Sequence, residues 1–414
     1  MTAVRLATES FNRLNLKAIN QAGGIIILNV MTKSDAPGIV WPLIGLLLVT
    51  SLLFSACQAH KTTPNTVTPA LAATLLPDAV TPPGLTPPAA PGTAPAVTVT
   101  PGLGLPVAPG VLPDFTPKLR LGVLPVDYLQ NTCQALWLRW NPGNSPPGTV
   151  VVPVMFHSIA KSGEKIREDT TISADYFNRF TFQAHKLGFE TITVAQLVDF
   201  LNHNTKIPPR SLLMIVDDRR TANYFQTYFA PLYQSYHWTV TNAWISNPSN
   251  TADLWNQNAQ LEKSGLVDHQ AHGVVHNIPI NDQATPEYIH GEIYGPIQAM
   301  LDHFGKRPIA FIWPQGEFTP YAVNLARQAG YELGFTAYSR GPIMFDWIPL
   351  GSIERGTSDP LMVLPRYWST AALGDLDEAL RYSQAAQAFY ASQKQAELAY
   401  YAQNCTAYPA VAGQ

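Results

Sequence analysis

The sequence predicts an α/β domain built on a parallel sheet, open or closed into a barrel, standing behind a long N-terminal leader. Three observations carry that prediction. Short β-branched runs alternate with segments of helical period from about Lys118 to Cys405, the pattern of strand–helix–strand crossovers. Charged residues make up only 13% of the chain against 46% hydrophobic, which supplies apolar material for a substantial core. The 36 prolines are unevenly spread and crowd into the stretch ahead of that region.

The leader comes first. Gly38–Ala56 (GIVWPLIGLLLVTSLLFSA) is an uncharged apolar run nearly long enough to span a bilayer, and Cys57 follows it at once. An apolar segment ending in small residues and cysteine resembles a bacterial lipoprotein signal, in which the cysteine is lipidated. The alternative is an uncleaved membrane helix. Both readings put the rest of the chain outside the cytoplasm, tethered to a membrane by lipid or by helix. Residues 1–57 are thus an extension plus signal segment, with Met31 the more ordinary start of such a signal. Residues 58–117, typified by TPPGLTPPAAPGTAPAVTVTPGLGLP, read as an extended, unstructured spacer, because proline removes donors and no hydrophobic period is present.

The domain, 118–405, follows. Thr149–Phe156 reads as a strand, and Ser173 as the cap of a helix through Lys186. Next come strand-like SLLMIV, a helix over Asn223–Tyr236, a strand over Thr239–Ile245 and a helix over Ala252–Lys263. A helix over Pro286–Phe304 precedes a strand over Ile309–Trp313, and a further helix covers Pro320–Ala329. An alanine-rich charged helix, Asp375–Asn404, closes the domain from outside. Cys133 and Cys405 flank this region and are a candidate disulfide in an oxidising compartment, with buried free thiols as the alternative. The formal net charge of -3 argues against a nucleic-acid binder, which would want a basic face to neutralise phosphates.

In such architectures the chemistry sits at the carboxyl ends of the strands. Asp217 and Asp218 occupy one such end. Repelling carboxylates there are explained by a metal or base role, or by helix capping with salt bridges to Arg219 and Arg220. Asp268–His276 (DHQAHGVVH) holds three of the chain's 10 histidines, and the spacing of His272 and His276 aims both rings at one point on a helical turn or tight loop. Two neutral imidazoles and a carboxylate make a common metal tripod. His157 directly follows the Thr149–Phe156 strand, and Trp313–Pro314–Gln315–Gly316 ends another. A core histidine and an ordinary turn are the plainer accounts of these two.

The order VMFHSI, IVDDRRTANYF, HGVVH, FIWPQGEFTPYAVNLARQAGYELGFT and VLPRYW resembles the polysaccharide deacetylases, carbohydrate esterase family four with the NodB-homology fold. It is similar in particular to the circularly permuted branch that includes poly-β-1,6-N-acetylglucosamine deacetylases, whose pattern runs YHxI, FDDG, HTxxH, YPYG and a late LPR. The resemblance covers about Val150–Trp368 and implies a distorted (β/α) barrel. It implies Asp217 as general base, Asp218, His272 and His276 as ligands of a divalent metal (zinc, or cobalt or nickel), and His157 as general acid. Arg366 would orient Asp217, while Trp313, Pro314, Gln315 and Gly316 would line the groove, with the Gln315 N–H facing an oxyanion. The implied reaction is removal of N-acetyl groups from an N-acetylglucosamine-containing polymer. Arg219 stands where the family has glycine, so the competing expectation is a weak or inactive glycan-binding envelope lipoprotein that keeps the fold.

Overall fold

The computed structural model describes residues 119–411. Cys57, the apolar run before it and the proline-rich spacer lie outside the described residues. Among the described residues no helix is long and apolar enough to cross a membrane.

The described residues begin with β1 (Leu124–Val126), α1 (Thr132–Trp140), β2 (Val150–Phe156), β3 (Ser158–Ala160), β4 (Thr171–Ser173) and α2 (Ala174–Lys186). It continues through β5 (Glu190–Thr191), α3 (Val194–His203), β6 (Arg210–Asp217), α4 (Ala222–Tyr228), α5 (Ala230–Tyr236), β7 (Val240–Trp244) and α6 (Ala252–Ser264). Then come β8 (Val267–Ala271), α7 (Pro286–Phe304), β9 (Ala310–Ile312), α8 (Pro320–Gln328) and β10 (Leu333–Phe335). Last are β11 (Ile343–Met344), β12 (Ile348–Leu350), β13 (Tyr367–Trp368) and α9 (Ala372–Asn404).

The main sheet runs β10-β9-β8-β7-β6-β2 with every neighbour parallel. Parallel strands need crossovers, and α6, α7 and α8 supply them. β5 pairs with β6, and β11 lies antiparallel on the outer edge of β2. The sheet curls far enough for one short segment to touch both of its edges. Leu364 bridges to Phe335 of β10, its N–H donating to the Gly334 carbonyl at 2.8 Å. A few residues later, β13 pairs with β2 at Val154 and Met155. The expected distorted barrel is therefore closed by Leu364–Trp368.

Alternation on β2 and β6 sorts the core. Val150, Val152, Val154 and Phe156 pack with Leu212, Met214 and Val216 against Phe177, Phe180, Phe225 and Leu376 from the helices. Val151, Leu213 and Ile215 belong instead with Phe311, Trp313 and Leu333 from β9 and β10. Asp217 continues that second, odd-numbered series on β6.

Two predicted elements differ. The helix expected over Asn223–Tyr236 is two, α4 and α5, divided at Phe229, with Pro231 in the first turn of α5. A proline ring collides with the carbonyl four residues back in a continuous helix, so a new helix starts instead. The outer helix begins at Ala372 rather than Asp375. Cys133 and Cys405 are disulfide-bonded, with Cα atoms 5.4 Å apart, joining the start of α1 to the end of α9. Beside the bridge, Glu397 accepts from Arg139 Nη1 at 2.9 Å and from Trp140 Nε1 at 2.6 Å.

Candidate metal centre and its surroundings

β6 delivers the acidic pair. Asp217 is its last residue and is buried; Asp218 lies just beyond, half-buried, in the left-handed region at φ 72°. Aspartate tolerates that conformation better than most residues. The two carboxylates therefore separate through this backbone reversal as well as through strand alternation. Asn242 on β7 secures the reversal, its Nδ2 donating to the Val216 carbonyl at 2.7 Å and the Asp218 carbonyl at 2.9 Å. Arg219 turns outward, its Nη1 on Asn250 Oδ1 at 2.9 Å, and Arg220 Nη2 reaches Asp218 Oδ2 at 3.4 Å. The cation in the family's glycine place is thus engaged away from Asp217.

The end of β8 delivers the histidines through a tight loop. His272 is buried, and its ring meets that of His276 with centroids 4.4 Å apart. His272 Nδ1 lies 2.7 Å from the Ile312 carbonyl. A carbonyl only accepts, so Nδ1 carries the proton and Nε2 keeps its lone pair. Burial, the main cause, pushes the His272 pKa down to about 4, against the opposing pull of Asp217. The ring is neutral at neutral pH, the state a ligand requires. One ligand atom each from Asp218, His272 and His276 lies within 4.8 Å of the others. Two imidazoles and a carboxylate this close fit a divalent cation of the zinc, cobalt or nickel kind.

Asp217 stands beside this trio. Its Oδ1 accepts from Arg366 Nη1 at 2.6 Å, while Oδ2 lies 3.7 Å from His157 Nε2. Burial alone would raise its pKa; the Arg366 guanidinium, then His272 and His157, overcome that and hold it at about 2. Arg366 is itself buried, and its Nε donates to the Thr336 carbonyl at 2.7 Å. His157 follows β2, stacks on Trp368 with ring centroids 5.6 Å apart and planes 11° apart, and keeps a buried Nδ1 with no hydrogen-bond partner among the described residues. It is partly exposed, with side-chain exposure of 25%, rather than lodged in the core.

Of the expected groove residues, Trp313 is fully buried, and its Nε1 donates to the Met362 carbonyl at 2.7 Å. Its ring belongs to the core and offers no face to a sugar. Pro314 and Gly316 are buried as well, and Gln315 is exposed at φ 57°. Gly316, at φ 76°, has no room for a side chain: a Cβ there would lie 2.4 Å from that of Ala337.

Two residues outside the sequence reading, Asn242 and Glu292, support the site, together with Trp368 at the end of the VLPRYW motif. Glu292 lies among the buried residues of α7 and accepts the backbone N–H groups of Val274 and Val275 at 2.9 Å and of His276 at 3.2 Å. An acid amid apolar residues at helical spacing was the one available signal for it.

Residues 204–334 match the family model for polysaccharide deacetylase. That segment holds Asp217, Asp218, His272 and His276; His157 and Arg366 lie on either side of it. Among solved structures, the chain is similar to the Streptococcus pyogenes deacetylase PplD in complex with acetate, at 17% identity over 56% of this chain and 98% of that one, with a TM-score of 0.46. It is similar to IcaB from Ammonifex degensii at 16% identity over 58% and 97%, TM-score 0.43. A de-N-acetylase from Aggregatibacter actinomycetemcomitans aligns at 18% identity over 53% and 94%, TM-score 0.41. No curated protein sequence matches the chain. Over residues 204–334, less than half of the chain, the sequence is thus similar to the polysaccharide deacetylases.

Proposed function

We propose that this protein is a metal-dependent hydrolase that removes N-acetyl groups from an N-acetylglucosamine-containing polysaccharide outside the cytoplasm, held at the membrane through Cys57 or the apolar run before it. The observation that carries the reading is the convergence of Asp218, His272 and His276 beside an Asp217 flanked by Arg366 and His157.

Asp218, His272 and His276 are the proposed holders of the cation, which when bound supplies Lewis-acid polarisation and lowers the pKa of water toward ~7. Asp217, ionised and fixed through Oδ1, takes the proton of the attacking water on Oδ2. The water oxygen bonds to the acyl carbon. His157 gives a proton to the nitrogen as the C–N bond breaks, because an amine leaves poorly unless protonated. The Gln315 N–H is the proposed donor to the oxyanion. Acetate and a free sugar amine result.

The test is acetate release from N-acetylglucosamine oligomers by the purified domain, loaded with zinc or cobalt and then stripped by chelator. Release that disappears with the metal and returns on its addition supports the reading. Metal bound with no acetate released would leave the inactive glycan-binding protein. No metal and no acetate would remove the hydrolase reading altogether.

A further inference from the structure

We infer that Glu292 is the positioning residue of the histidine loop, and that Gly273 stands where the family pattern has threonine because this carboxylate occupies the space a side chain would need. The inference rests on the metal-dependent reading above.

The loop after β8 is conformationally costly. Gly273 lies at φ 77° and His276 at φ 64°, and a histidine in the left-handed region persists only when its surroundings impose it. Those surroundings come from α7. Glu292 is 2% exposed, and a buried carboxylate demands compensation. Its recorded partners are backbone donors from three successive residues: Val274 and His276 on Oε2, and Val275 on Oε1. Successive N–H groups converging in this way form an anion-binding concavity, and here the anion is part of the protein. A Ser246 N–H donating to the Gly273 carbonyl at 3.0 Å fixes the loop's other side.

Gly273 completes the device. A Cβ built there would lie 2.2 Å from Glu292 Oε2 and 3.3 Å from the Pro314 ring. A side chain at 273 and the carboxylate at 292 exclude one another. Because the His276 N–H is one of the three donors, the carboxylate constrains the backbone that carries one proposed ligand and follows the other. It touches neither imidazole and acts through the loop alone.

The experiment uses the whole described domain and reads the metal directly. Zinc affinity is measured by chelator competition, and the visible spectrum of the cobalt-loaded protein reports ligand geometry. Amide hydrogen exchange at Val274–His276 is followed without metal. Glu292→Gln keeps the shape but sets an NH2 among N–H donors. It is expected to weaken zinc about 10- to 100-fold, to shift the cobalt spectrum, and to release the three amides while exchange in the β-strands stays unchanged. Gly273→Asn tolerates the left-handed backbone but collides with the carboxylate. Its loss of affinity is expected to be at least about threefold smaller in a Glu292→Ala background than alone, since coupled neighbours deviate from additivity. Unchanged zinc affinity and unchanged amide protection in Glu292→Gln overturn the inference, as does strict additivity of the pair. A parent domain that binds no zinc or cobalt removes the metal reading and this inference with it. A parent that binds metal while the variants match it removes only this inference.

Discussion

The carboxyl ends of β6 and β8 are held by polar contacts between side chains and backbone: Asn242 under Asp218, Arg366 on Asp217, Glu292 on the histidine loop. The seam between α1 and α9, beyond the amino end of β2, is held by a disulfide and by Leu136, Tyr401 and Val411 packed around it. Directional bonds lose most of their strength with a small displacement, so the first region fixes atom positions. Apolar packing tolerates displacement and a cross-link restrains the unfolded chain, so the second region fixes stability. Damage to one should therefore register in rate, and damage to the other in melting temperature.

The largest expected effect is Asp217→Asn. Losing the proposed base should lower kcat for acetate release by about 10²–10⁴-fold while metal content remains. A fall under tenfold would assign the base elsewhere. Next is reduction of the disulfide, or Cys133→Ser with Cys405→Ser. The bridge spans 272 residues of sequence, and its loss should cost about 3–5 kcal/mol of stability with kcat unchanged in the fraction that stays folded. A matching loss of kcat would break the division between the two regions.

The smallest effect tests the flank of α9 between them. Asp375 is buried, and its Oδ2 has no hydrogen-bond partner among the described residues. Burial and then Glu378 raise its pKa from 3.8 to about 7, against the pull of Arg120. The folded chain thus holds this proton more tightly than the unfolded chain does. The resulting stability is complete below about pH 4 and is lost as pH climbs through about 7. Asp375→Asn should flatten melting temperature against pH across that window and add about 1–2 kcal/mol above pH 7. An unchanged slope would show the carboxyl to be hydrated.

The fold class and the meeting of Asp218, His272 and His276 were legible because both are written locally. An apolar run ending in Asp217–Asp218 marks a strand tip, and two histidines at close spacing need only a loop to meet. The predicted elements lack α3, although Thr193 and Gln196 form the capping box that opens it. Glu292 was hidden because its neighbours Ile289, Ile293 and Ile297 state only that α7 is amphipathic. Trp313 misled for the opposite reason. The motif pointed to a groove, but the curl of the sheet puts the Trp313 ring among Phe311 and Phe318. Curvature is a sum over strand pairings and has no local signature.

Leu364–Trp368, which joins the two sheet edges, also carries the guanidinium that meets Asp217, 149 positions further along the chain than that aspartate. Finishing the barrel and arming the carboxylate are consequently a single event. A nascent polypeptide in which β2 through β10 have already emerged still has an unmatched acid at its centre and an open wall. The proposed chemistry thus depends on a segment that follows all of β2 through β10, and a protease cut just ahead of Leu364 would undo both at one stroke.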